Sequence, residues 1–169
     1  MKYLLILFIF SISACSTTRY YVVRHAERAV VTKDSAGMMA SNPPLSEAGK
    51  VRSFVLRNEL QNKHIQHIYS TNTIRTTTTA EPLSQKKNIK VEIYSNIDSL
   101  VNRLKSEKGN ALIVGHSNTV DDIVNKIIGR KEILADFKDT EYDNLFIIKR
   151  KKGQYQLSRK KYGYPSNPE

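Results

Sequence analysis

The chain has 169 residues, 40% hydrophobic and 25% charged, with a formal net charge of +11. That length supports one domain with a real core and is too short for two. The ordinary charged fraction and scattered aromatics exclude wholesale disorder, and the single cysteine, Cys15, excludes an internal disulfide.

The chain opens on "MKYLLILFIFSISAC": a lysine, an apolar run, then small residues before Cys15. Residues 1–14 read as a signal peptide, because the apolar run is too short for a comfortable transmembrane span. The stretch "ISAC", Ile12 to Cys15, resembles the bacterial lipoprotein processing box. That resemblance implies cleavage before Cys15 and lipidation of its thiol; a plain secretory signal with an incidental cysteine is the other reading. Acyl chains would hold the protein at a membrane without spanning it. Ser16, following the cysteine, resembles outer-membrane sorting, so the expected location is the periplasmic face of the outer membrane. Residues 15–19 form the anchor and tether, and the folded domain occupies 20–169.

The elements of that domain alternate. "YYVV" (20–23) predicts a strand. After "RHAER" comes an irregular loop, "AVVTKDSAGMMASNPP". "LSEAGKVRSFVLRNELQNK" predicts a helix capped by Ser46, with Val51, Phe54, Val55 and Leu60 on its apolar side. "IQHIYS" predicts a second strand. A helix should start near Asn72 or Thr73, with Pro82 kinking or shortening it. "VEIY" is a third strand, "IDSLVNRLKSE" a helix, "ALIVG" a fourth strand, and "NTVDDIVNKIIG" a helix ended by Gly129. "NLFIIKRKKGQYQLSRK" predicts a hairpin turning at Lys152-Gly153. The expected fold is an α/β three-layer sandwich: a mostly parallel central sheet flanked by helices, with a C-terminal antiparallel β-hairpin.

In such a sheet, sites gather at the carboxyl ends of strands. The first exit offers Arg24, His25, Glu27 and Arg28; the second offers Ser70, Thr71, Asn72 and Arg75; the fourth offers His116, Ser117 and Asn118. An arginine presents a planar fork of donors that matches phosphate oxygens. Two arginines with two imidazoles therefore suit a doubly charged phosphoryl group, and the same cations disfavour a divalent metal. With no cysteine in the domain, imidazole itself is the candidate nucleophile, its second nitrogen held by a backbone carbonyl.

The segments "VVRHAER", "LSEAG", "YSTNTIRTTTTAEPL" and "LIVGHSNTV" together resemble the histidine phosphatase superfamily, the phosphoglycerate-mutase-like group. The resemblance implies His25 as the phosphorylated nucleophile, Arg24 and Arg75 as phosphoryl ligands, His116 as the second core histidine, and Glu27 as a supporting residue. It implies neither metal nor other cofactor. The family's general acid has three readings here: Asp98 after the third strand, Glu92 within it, or no dedicated acid. Ser117 and Asn118 are expected to cap the helix that follows them. The implied activity is hydrolysis of phosphomonoesters or phosphoramidates through a phosphohistidine. The alternative is a non-catalytic, phosphate-binding lipoprotein on the same scaffold. Expected partners are a small or macromolecular phosphorylated substrate and, through the anchor, a membrane. Nucleic acid is not expected, since base-stacking motifs are missing. The basic C-terminal run "KRKKGQYQLSRKKYGY" reads as a solvated hairpin face, with lipid contact or substrate steering as alternatives.

Overall fold

The computed structural model of the protein describes residues 17–30 and 41–166. The expected signal peptide, Cys15 and most of the loop before Pro43 lie outside them. Six strands form one sheet: β1 (Thr18–Arg24), β2 (Ile65–Ser70), β3 (Val91–Ile93), β4 (Asn110–Gly115), β5 (Asn144–Lys151) and β6 (Gln154–Lys161). Four helices among the described residues lie between them: α1 (Glu47–Leu60), α2 (Ile74–Lys87), α3 (Ile97–Ser106) and α4 (Val120–Ile128). The strand order is β3-β2-β4-β1-β5-β6. The first four are parallel, while β5 runs antiparallel to β1 and β6 to β5. This is the α/β sandwich with a terminal hairpin that the alternation of elements predicts.

Strand β1 shows why the sandwich has three layers. Tyr20, Tyr21, Val22 and Val23 are all buried. Side chains alternate across a strand, so a run without a polar member needs cover on both faces. Tyr20 and Val22 enter one core, with Leu100, Val101 and Leu104 of α3 and Ile123, Val124 and Ile127 of α4. Tyr21 and Val23 enter the other, with Leu56 and Leu60 of α1 and Ala80 and Leu83 of α2. Tyr20 also donates its hydroxyl to the carbonyl of Leu104 at 2.6 Å, which satisfies a buried phenol and a helix-end acceptor together.

Three local expectations are corrected. Helix α1 does not bury Val51 or Phe54, which are half exposed; Arg52, Ser53, Leu56 and Leu60 face inward instead. Arg52 turns inward because Glu27 and the backbone carbonyls of Tyr162 and Tyr164 receive its donors. Pro82 lies inside α2, yet that helix runs on to Lys87. Helix α4 takes Thr119 as its N-cap residue, not Ser117 or Asn118. The hairpin turns where expected, at Lys152 and Gly153, with φ of 50° and 77°. Positive φ at both positions is what a tight two-residue hairpin turn requires.

Candidate active site

The carboxyl ends of β1, β2 and β4 lie side by side, because these strands are neighbours and parallel. Strand β5 is antiparallel, so the segment that enters it comes to the same edge. His25 follows β1 directly and its amide donates to Gly115 O of β4 at 2.9 Å. His116 follows β4. The two imidazole centroids are 5.4 Å apart with planes at 67°.

His25 is 4% exposed. Its Nδ1–H donates to the carbonyl of Ala26 at 2.7 Å, which fixes the tautomer and leaves the Nε2 lone pair unprotonated. Nε2 has no hydrogen bond among the described residues. Burial, together with the charges of Arg24, Arg75 and His116, pushes the imidazole pKa down to about 3 against the favourable bond to Ala26. His116 is pushed down to about 4, by burial first and then by Arg75 and Arg24. Both rings are therefore neutral near pH 7.

His116 has its own support. Nε2 meets Thr71 Oγ1 at 2.8 Å, and Thr71 Oγ1 donates to Thr76 Oγ1 at 3.0 Å. Arg75 Nη2 donates to Nδ1 at 3.4 Å. Nδ1 thus accepts while Nε2–H donates to Thr71, a consistent neutral tautomer. The amide of His116 donates to Thr119 Oγ1 at 2.9 Å.

The threonine run that precedes α2's apolar residues is built for this edge. Thr76 and Thr79 are buried one helical turn apart. Thr79 Oγ1 donates to Arg75 O at 2.7 Å and accepts from the amide of Ala26 at 2.9 Å. The residue whose carbonyl orients His25 is thereby tied to the helix that carries Arg75.

The "LSEAG" segment has an equally specific task. Ser46 Oγ accepts from the amide of Gly49 at 3.1 Å, and the Ser46 amide donates to Glu27 O at 2.9 Å. A Cβ on Gly49 would stand 2.1 Å from Glu27 O. Glycine therefore lets α1 pack directly on the backbone two residues after His25.

Arg24 is 4% exposed, and its guanidinium lies 4.2 Å from the centroid of the Tyr142 ring. Nη1 donates to the carbonyl of Lys138 at 2.7 Å, and Nη2 to Asp139 Oδ1 at 3.2 Å. The other carboxylate oxygen of Asp139 meets Arg28 at 3.4 Å. The Nε atoms of both Arg24 and Arg75 are buried without a partner among the described residues. Two orphaned cationic donors beside two neutral imidazoles make a place for an oxyanion.

The structure places the remaining sequence candidates elsewhere. Glu27 does not face the imidazoles: Arg52 occupies its carboxylate through bonds of 2.6 to 3.0 Å. Through Arg52 it holds the chain after His25 against α1. Asp98 is largely exposed in the first turn of α3, where it binds Lys126 at 2.5 Å. Lys126 lies ten positions beyond His116 and near the far end of α4, so this carboxylate is not among the groups gathered around His25. Glu92 binds Arg103 at 2.7 Å. Tyr142, Thr71 and Asp139 are the site residues that sequence reasoning missed or left unassigned. Thr71 had a signal in its position at a strand exit; Tyr142 and Asp139 had none.

No curated sequence is significantly similar to the chain. Solved structures share its fold at low identity. The protein histidine phosphatase SixA, complexed with tungstate, superposes with a TM-score of 0.64 at 14% identity, over 85% of this chain and 96% of its own. A protein of Agrobacterium tumefaciens assigned as a phosphohistidine phosphatase SixA gives 0.63 at 17% identity, over 87% and 98%. A mycobacterial glucosyl-3-phosphoglycerate phosphatase gives 0.62 at 10% identity, over 84% and 97%. The profile of the histidine phosphatase superfamily, branch 1, matches residues 20–99, which span Arg24, His25 and Arg75. Over those residues, and in the fold it shares with these structures, the chain is similar to the histidine phosphatase superfamily.

Proposed function

We propose that the protein is a phosphatase that works through a phosphohistidine on His25, held at a membrane by a lipidated Cys15. The observation that carries the catalytic reading is the state of His25: Nδ1–H committed to Ala26 O, Nε2 without a bond, and His116 and Arg75 close by. A neutral imidazole so oriented is a ready nucleophile, and its neutrality needs no separate base. Nε2 attacks phosphorus in line, the N–P bond forms, and the bond from phosphorus to the leaving group breaks. The arginines and His116 stabilise the charge on the equatorial oxygens. Water then attacks phosphorus, the P–N bond breaks, its proton leaves with inorganic phosphate, and neutral His25 returns.

The leaving group also needs a proton unless it departs as a stable anion or neutral base. Asp98 and Glu92 are paired elsewhere, and Asp139 sits on two arginines. None of these three carboxyl groups is placed to donate. This favours substrates whose leaving group departs without help: phosphoramidates such as phosphohistidine, and aryl esters, ahead of alkyl phosphates. The SixA relatives, named as phosphohistidine phosphatases, support the same preference.

Rapid quench with radiolabelled aryl phosphate should trap an acid-labile, base-stable phosphoenzyme that vanishes in His25→Ala. Turnover without label would sink the mechanism. Phosphate binding without turnover would favour the second reading, an anion-binding protein. Incorporation of labelled fatty acid, lost in Cys15→Ser, tests the anchor.

A further inference from the structure

We propose that the end of the domain around the β5–β6 turn is a docking surface for anionic phospholipid headgroups. It would hold the catalytic edge facing away from the bilayer. The proposal rests on the chain arriving at β1 from a membrane, not on the catalytic reading.

Topology supplies the first argument. Strand β1 connects the tether to the site: Thr18 begins it and Arg24 ends it. At about 3.3 Å per residue, the two ends stand about 20 Å apart. Three peptide units separate Cys15 from Thr18, a reach of about 11 Å. Thr18 pairs with Arg150 and Arg19 with Lys149. The hairpin tip, Lys151 to Gln154, therefore lies at the tether end, and His25 lies at the opposite end.

Charge supplies the second. A shallow depression at the tip is lined by Lys149, Lys151, Lys152, Gln154, Tyr155 and Gln156. Lys149, Lys151, Gln154 and Gln156 share one face of the ladder, since Lys149 pairs with Gln156 and Lys151 with Gln154. Arg19, Lys63 and Lys108, exposed at the entries of β1, β2 and β4, extend the cationic surface at this end. None of these six cations is in an ion pair among the described residues. The neighbouring carboxylate of Glu107 is already bound by Arg103 and the Tyr69 hydroxyl. Amide donors, ammonium groups and an amphipathic tyrosine form a suitable lining for phosphodiester headgroups.

Alternatives fit less well. Steering of a phosphorylated substrate would need this charge near His25, yet about 20 Å exceeds two Debye lengths at physiological salt. Nucleic acid would need stacking side chains, and the depression offers one tyrosine.

The test is amide hydrogen exchange on the full chain, as isolated from membranes, reconstituted into phosphatidylglycerol or phosphatidylcholine vesicles. Amides of residues 149–156 should exchange at least about tenfold more slowly in phosphatidylglycerol. Half-molar salt should remove the difference, and so should the triple variant K149E/K151E/K152E, with aryl phosphatase activity in detergent unchanged. Equal exchange in the two lipids would overturn the proposal. So would protection falling on residues 71–76 and 116–120, or protection of the tip by an oligonucleotide but not by phosphatidylglycerol. No substrate enters these measurements, so a failure of the phosphatase reading leaves their outcome intact.

Discussion

At the scale of single residues, the site depends on keeping two histidines neutral and fixed among cations. Backbone geometry fixes His25 through Ala26 O, whereas a side chain fixes His116 through Thr71. Thr71→Val removes the acceptor for the His116 Nε2–H without changing shape. We expect kcat to fall about tenfold in Thr71→Val, since a misplaced phosphate ligand loses transition-state contacts, and Thr71→Ser to recover most of it. Equal kcat in the valine variant and the parent would show that the relay does not position His116. The chain signals Arg24, His25, Arg75 and His116 because they follow apolar runs or open a helix. Tyr142 has no such mark, since its place over Arg24 comes from an irregular segment with no period to read.

At the scale of elements, α1 acts as a wall behind the nucleophile's loop. Its amphipathic pattern is misleading: Val51 and Phe54 look inward by type, yet Arg52 occupies the inward position because Glu27 meets it there. Local periodicity counts apolar residues and cannot anticipate an ion pair formed with a residue 25 positions away. Gly49 belongs to the same contact. In Gly49→Ala, the gain in helix propensity of about 1 kcal/mol should be outweighed by displacement of α1 from Glu27, for a net loss of about 1–3 kcal/mol. Urea unfolding measures this, with a parallel fall in activity as the chain after His25 shifts. A variant as stable as the parent would mean that the approach relaxes at no cost.

At the scale of the whole molecule, the site sets how stability depends on pH. His25 and His116 have folded-state pKa values near 3 and 4, below the ordinary value near 6.5. Between these limits the unfolded chain binds more protons than the native one. Stability is therefore full above about pH 6.5 and falls as pH drops toward 4 and 3. The slope is at most about 1.4 kcal/mol per pH unit for buried His25, so up to about 2 kcal/mol between pH 6.5 and 5, with a smaller share from the more exposed His116. Denaturant titrations at these two pH values should show the loss in the parent and little of it in a His25→Asn/His116→Asn double variant. The same loss in both would place its origin elsewhere. Activity itself should persist below pH 6, because His25 stays unprotonated there.

The sequence by itself determined the order of elements, the two-sided burial of β1, the tight turn at Lys152-Gly153 and the family that the chain resembles. Each is written in local pattern: an apolar run, an alternation, a glycine at positive φ, a short motif at a strand exit. Only the tertiary structure decided which charged groups meet. It turned Glu27 onto Arg52, Asp98 onto Lys126 and Asp139 onto Arg24 and Arg28. It also set the hairpin tip beside the start of β1 and the histidines at its end. The physical reason is range. Periodicity and turn chemistry act over a few residues, whereas pairing of buried or clustered charges depends on distances that exist only once the sheet has brought distant segments together.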